Sequence, residues 1–363
     1  MQKNEPLNNQ INNINQAYKN WEKLGSPKYV CAPMVGQSEL PFRLLVKKYG
    51  CQLGFTPMIK CDTLLKGLKQ IKKPSKKQKF IDKFFQTCPE ERPIIAQLAG
   101  NNGEEILETA LLIQEKIDGI DLNFGCPQQV ARKHGYGAYL LEFPEIIEKI
   151  LLKLQKAAQN NQLIVPYSCK MRILNNEKKT LQLAKMMENL GATFLTVHGR
   201  TIEEKHGLQK ENNLEIIKQI KQSSKIPIIA NGGIYTYEDV QQCLKITQCD
   251  AVMSAEGLLE NPALFQENKQ KNEPVNLHQI ALEYLDICEI FPPTILDNIR
   301  VHLQKFFFQT LKNNLELNKL LYKVENIQQF KQVVKQIIEN SPYKEEPIKE
   351  RGWYFRHRQQ QKI

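Results

Sequence analysis

The chain falls into a rhythm of short apolar runs that end in polar or Gly/Pro residues, each followed by a polar connection or a stretch of helical spacing. The apolar runs are Tyr29–Met34, Leu53–Met58, Ile94–Leu98, Gly119–Asn123, Ser168–Arg172, Phe194–His198, Pro227–Asn231 and Ala251–Ala255. Helical spacing follows at Leu40–Lys48, Glu104–Lys116, Pro144–Gln155, Glu177–Leu190, Leu214–Lys221 and Tyr237–Lys245. Strands joined by crossover helices pair in parallel, and eight of them suffice to close a (β/α)8 TIM barrel. A doubly wound open sheet competes, but no G-x-G-x-x-G follows the first run. After Pro262 the period changes, and from Leu277 to about Asn340 only helical spacing remains. The predicted organisation is a polar N-terminal arm (1–26), a barrel (27–270), a smaller all-α domain (271–340) and a basic, aromatic tail (341–363). The arm is read as loose, closing in a short helix through Tyr18, Trp21 and Leu24.

Composition narrows the class. The 363 residues are 41% hydrophobic and 25% charged, an ordinary globular balance, and carry a net charge of +11. A surplus of that size suits a polyanionic partner, nucleic acid foremost, although solubility alone is an equal explanation. Nine cysteines contain no C-x-x-C pair, so neither a zinc site nor a dithiol redox motif is expected. No apolar leader or membrane-length run is seen, and the expectation is reduced thiols in the cytoplasm, with the nucleus open; oligomeric state is not readable, and a monomer is assumed.

Active sites of (β/α)8 barrels lie at the C-terminal ends of the strands. Collected there are Pro33, Met34 and Val35; Gln97; Asn123; Lys170 and Arg172; His198; Asn231, Gly232 and Gly233; and Glu256 and Gly257. Any single Asn or Gln there is explained by a loop cap. Lys170 inside an apolar strand is harder to dismiss, because lysine is rarely buried without a partner. Glycines after the last two strands let backbone N–H groups approach a phosphate, though turns also need glycine. Cys126, in Asn123-Phe124-Gly125-Cys126-Pro127, is either an inert buried thiol or a proton donor at the mouth.

Five stretches together resemble the tRNA-dihydrouridine synthases. They are Ala32-Pro33-Met34, Asp121 to Pro127, Cys169-Lys170-Met171-Arg172, Thr196 to Thr201 and Ala230-Asn231-Gly232-Gly233. They come in the family's order between about Tyr29 and Phe265. Met34 to Leu40 and Met253 to Gly257 are similar to the eukaryotic subgroup acting on uridines 16 and 17 of the D-loop, which usually has Asp where this chain has Gly36. The resemblance implies non-covalent FMN in the barrel mouth, NADPH as electron donor, tRNA as substrate and a helical domain that helps hold it. It places FMN against Pro33, Met34, Val35, Gln97, Lys170, His198, Asn231, Gly232, Gly233, Glu256 and Gly257. Cys126 becomes the catalytic acid, with Asn123 and Arg172 on the uracil edge. No metal is implied.

Three other readings remain. A flavin barrel reducing free pyrimidines or dihydroorotate shares the fold. A catalytically silent tRNA-binding relative would share the surface. A lyase would use Lys170 as a Schiff-base amine. The lysine run Lys66, Lys69, Lys72, Lys73, Lys76, Lys77, Lys79 and Lys83 is either a solvated face or a phosphate grip beside the target loop.

Overall fold

The computed structural model describes residues 16–204, 211–266 and 275–341. The basic tail and the first fifteen residues of the arm lie outside that range. Nine strand segments form one parallel sheet: β1 (Tyr29–Cys31), β2 (Gly54–Phe55), β3 (Ile59–Lys60), β4 (Ile94–Ala99), β5 (Gly119–Phe124), β6 (Tyr167–Arg172), β7 (Leu195–His198), β8 (Ile228–Asn231) and β9 (Ala251–Ser254). Both β2 and β3 pair with β4, so they are two pieces of one barrel position, interrupted at Thr56-Pro57-Met58. Proline cannot donate to a ladder, which accounts for the break. The ring closes where β1 pairs with β9 and where Val30 bridges to Leu53. The architecture is the expected eight-position barrel, followed by helices from Leu277 to Glu339.

Side-chain alternation sorts the barrel into layers. Outward positions such as Leu122, Cys169, Met171, Val197 and Ala230 join the large core beneath the surrounding helices. The lower interior is apolar, with Val30, Phe55, Ile95, Ile229, Ala251 and Met253. Trp21 and Leu24 plug this layer, and Trp21 meets Phe194 edge-on at 5.4 Å. The end of the arm is therefore helical at residues 16–23 and part of the barrel core. The upper interior is polar: Gln97, Asp121, Asn123, Ser168, Lys170, Arg172, Thr196, His198 and Asn231 recur at every second position. Pairing register sets Arg172 beside His198 and His198 beside Asn231, so the polar layer faces one end of the barrel.

Two further helices, Cys61–Gln70 and Pro74–Phe84, follow β3. The first has ten residues, about 15 Å, and leads away from the mouth. The lysine run thus starts on the mouth side and then moves down the barrel flank. Phe80 anchors the second helix over Gly67, leaving no room for a Cβ there.

The C-terminal helices, Leu277–Ile290, Asp297–Phe306, Phe308–Asn313, Leu315–Tyr322 and Ile327–Glu339, bury their apolar faces against one another. They share one apolar core with the barrel, and a buried polar contact joins the two as well. Tyr284 donates to Glu39 at 2.6 Å, and His302 Nε2 lies 3.2 Å from the other carboxylate oxygen. His302 also stacks on Phe42 at 4.4 Å. No helix among the described residues is long and apolar enough to cross a membrane.

Candidate active site

A cavity of about 360 Å³ opens at the C-terminal ends of the strands. Thirteen of the predicted residues line it: Pro33, Met34, Val35, Gln97, Asn123, Cys126, Lys170, Arg172, His198, Asn231, Gly232, Gly233 and Glu256. Gly257 does not. It is buried behind the mouth, where a Cβ would stand 2.4 Å from the Ile234 carbonyl oxygen and 2.8 Å from Ser254 Oγ. Its glycine is required by packing. A larger cavity, about 600 Å³, lies beside Phe85, Arg92 and Phe291 and holds none of the predicted residues.

Hydrogen bonds join the mouth residues in two sets. Asn123 donates to Gln97 at 2.7 Å, and Gln97 donates to Asp121 at 2.8 Å. Ser168 donates to the other Asp121 oxygen at 2.8 Å. Across the barrel, Lys170 Nζ donates to Asn231 Oδ1 at 2.8 Å, and Asn231 donates to the Met253 carbonyl at 2.9 Å. Burial pulls the Lys170 amine below its ordinary value, and Arg172 adds to the effect; Asp121 opposes it. Burial likewise pushes Asp121 up. A lysine in this state is a cation held at some cost, which suits a site where an anion or electron-rich ring completes its environment.

Asn123 and Arg172 brace the cysteine loop. Asn123 Oδ1 accepts from the backbone N–H of Gly125 at 3.1 Å and of Cys126 at 3.0 Å. Arg172 donates to the Gly125 carbonyl at 2.9 Å and to the Thr201 carbonyl at 2.8 Å. Ala138 N–H donates to the Cys126 carbonyl at 3.0 Å, and Gly137, at φ +72°, packs where a Cβ would meet that carbonyl at 2.7 Å. The loop is fixed from three sides with its thiol partly exposed at the cavity. Burial raises the Cys126 pKa above its ordinary 9.0, with Gln128, Arg172 and Lys170 pulling the other way. The thiol is protonated at neutral pH, the form in which a proton is available to give.

On the opposite wall, burial and then the charges of Arg172, Lys170 and Arg200 push His198 well below its usual range, so the imidazole is neutral. Its Nε2 is shielded from solvent and has no hydrogen-bond partner among the described residues. Both side-chain amide atoms of Asn212 are in the same condition. They lie over Gly232, at φ +106°, where a Cβ would stand 2.7 Å from Asn212 Oδ1 and 2.8 Å from His198 Nε2. Unpaired buried polar groups cost about 1–3 kcal/mol each, and a group of them beside a glycine loop is what a bound anion would relieve.

Several residues of this wall carry no role expected from the sequence. Arg200 and Tyr235 line the cavity, as does Gln37. Lys305 reaches Gln37 Oε1 from the helical domain, 268 residues away in the chain. Arg200 stood inside a quoted motif and could have been found there; nothing in the helical spacing around Lys305 marked it. Among the described residues, no cluster of His, Cys, Asp and Glu could hold a metal ion.

Residues 30–349 match the family described as dihydrouridine synthase (Dus). A Mus musculus protein named tRNA-dihydrouridine(16/17) synthase, NAD(P)(+), -like is 37% identical over 314 residues, 86% of this chain and 62% of its own length. The Saccharomyces cerevisiae tRNA-dihydrouridine(16/17) synthase is 37% identical over 276 residues, 74% of this chain and 62% of its own. A Mus musculus tRNA-dihydrouridine(20a/20b) synthase-like protein is 38% identical over 236 residues, 65% of this chain and 68% of its own. The chain thus spans less than two thirds of the first two relatives.

Proposed function

This chain belongs to the dihydrouridine synthase family, and from that membership and the geometry of the mouth we propose that it reduces the C5=C6 bond of uridine in tRNA with FMN and NADPH. The observation that carries the reading is a protonated thiol, Cys126, locked at the rim of a cavity whose opposite wall holds unpaired polar atoms over a glycine loop.

The residues present fit FMN. Gly232 and Gly233, both at positive φ, follow β8, and Glu256 opens the short helix after β9, the two loops where such barrels bind phosphate. His198 Nε2 and Asn212 supply unpaired polar atoms there, and Lys170 supplies a cation deeper in. When bound, reduced FMN supplies a hydride to C6 of the uracil ring. Cys126 donates its proton to C5, and the thiolate left behind is stabilised by the charges of Arg172 and Lys170 before it regains a proton from solvent. Asn123 and Arg172 hold the thiol in place through the Gly125–Cys126 backbone. The uridine must leave its stack to reach the mouth.

Positions 16 and 17 are the proposed targets. Support comes from relatives of that name matching 86% and 74% of the chain, against 65% for the 20a/20b relative, whose identity over the matched region is equally high. The cationic helix Pro74–Phe84 and the helical domain are the proposed tRNA grips. Lys72, Lys73, Lys76, Lys77, Lys79 and Lys83 are exposed and form no ion pair with a described residue. Purified protein should release FMN on heating and convert uridine to dihydrouridine in an unmodified tRNA transcript with NADPH. A colourless protein that reduces neither flavin nor tRNA overturns the reading, and turnover of free uracil or dihydroorotate in place of tRNA favours the small-substrate alternative.

A further inference from the structure

The loop after the last barrel strand poses an electrostatic problem. Glu256 opens the helix Glu256–Glu260 and lines the cavity where a phosphate is expected. A carboxylate in that position repels a phosphate unless a cation neutralises it. The barrel offers Arg200, which hydrogen-bonds Tyr235 in the field of Glu256. The other cation comes from outside the barrel. Helix Asp297–Phe306 packs directly against helix Glu256–Glu260 and carries Lys305.

Lys305 is only 6% exposed, an unusual state for a lysine. Its amine donates to Gln37 Oε1 in the loop after β1, which lines the same cavity. Burial draws the amine down to about 8, and Glu256, then Glu260 and Glu39, pull it back up. One buried cation thus stands between the loops after the first and last barrel strands, within the electrostatic reach of three carboxylates. The same helix approaches the first loop again at Gly36, where a Cβ at φ +68° would lie 3.4 Å from Asn298 Oδ1.

We propose that Lys305 is a positioning residue for the cofactor phosphate: the helical domain delivers it to neutralise Glu256 and to fix the two mouth loops against each other. This rests on the FMN reading above. The helical domain then has a second task besides any contact with tRNA, because it completes the electrostatics of the flavin site. Lys305 acts through Glu256 and Gln37, without touching the reacting atoms.

The test compares two flavins that differ by the phosphate. Full-length protein is dialysed free of flavin and titrated with FMN and with riboflavin, following flavin fluorescence. Lys305→Met should weaken FMN on the order of tenfold and leave riboflavin within about twofold, the size expected for exposing the phosphate to one uncompensated charge. Adding Glu256→Gln to Lys305→Met should restore FMN affinity to within about threefold of the wild type. Glu256→Gln alone, which keeps Lys305, should bind FMN at least as tightly as the wild type. Unchanged FMN affinity in Lys305→Met, an equal loss for both flavins, or a double variant as weak as the single overturns the proposal. If Lys305→Met does not fold, a Glu256→Gln protein that binds FMN more weakly overturns it, and one that binds as tightly or tighter supports it. Wild-type protein that binds neither flavin overturns the FMN reading itself.

Discussion

Tyr284→Phe removes one hydroxyl from the junction between barrel and helical domain and little else. Tyr284 is fully buried, and its ring meets His302 at 5.0 Å and Phe306 at 6.0 Å, contacts that phenylalanine retains. The hydroxyl donates 2.6 Å to Glu39, a carboxylate only 6% exposed. A buried hydrogen bond to a charged group is worth about 1.5–3 kcal/mol, so the variant should unfold in urea with a deficit of that size at pH 7. The pH dependence gives an internal control. Burial pushes Glu39 up, but the charge and hydrogen bond of His302 and the bond from Tyr284 leave it below its ordinary 4.5. A depressed carboxyl contributes stability above its unfolded pKa and loses it as pH falls through the folded value. Tyr284→Phe removes one of the groups that lower it, so Glu39 protonates at a higher pH in the variant. The deficit should therefore shrink toward about 0.5–1.5 kcal/mol, the value of a neutral bond, as the pH is lowered below 4.5. Urea curves followed by circular dichroism at pH 7 and at a descending series of pH values below 4.5 measure both numbers. A variant within 0.5 kcal/mol of the wild type at pH 7, about the scatter of a neutral surface change, or a deficit that does not change with pH, would refute the assignment of Glu39 as the charged centre of the junction.

Cys126→Ala should lose most uridine reduction while NADPH still reduces the flavin, because the thiol serves only the proton step; stopped-flow flavin bleaching and dihydrouridine yield separate the two. Since burial raises the thiol above 9.0 and the step needs the protonated form, activity should hold through neutral pH and fall only as alkali removes that proton. Lys170→Ala should weaken FMN binding or slow flavin reduction; a variant that equals the wild type in both would remove Lys170 from the cofactor site. Neutralising Lys72, Lys73, Lys76 and Lys77 together should weaken tRNA binding and flatten its salt dependence by roughly one unit of slope per lost phosphate contact, with flavin reduction untouched. An unchanged slope would return the run to the solvated surface.

The barrel was legible because short apolar runs such as Ile94–Leu98 and Phe194–His198 alternate with stretches of helical spacing such as Glu104–Lys116 and Leu214–Lys221. The break at Pro57 and the helices Cys61–Gln70 and Pro74–Phe84 were not, since dense lysines obscure the apolar face formed by Leu64, Leu65 and Leu68 and continued by Phe80, Ile81 and Phe84. Trp21 read as part of a loose arm because its partner Phe194 is distant in the chain. The mouth residues were legible by position, but their partners were not. Asn123 and Arg172 looked free to meet a base and are bonded to the Cys126 loop. Gly257 was expected against the cofactor; the Ile234 carbonyl, which a Cβ there would meet at 2.4 Å, is a second demand for glycine that the sequence does not show. Lys305 lies on a helix whose spacing shows only a buried face, and its role depends on a packing between domains that local pattern does not encode.

The measurement that bears most directly on the central claim is position-resolved mapping of dihydrouridine in tRNA from cells lacking this protein, complemented with wild-type or Cys126→Ala chains. Dihydrouridine should disappear at positions 16 and 17, return with the wild type and not return with Cys126→Ala. Dihydrouridine unchanged at every position in the deletion, or full restoration by Cys126→Ala, would contradict it.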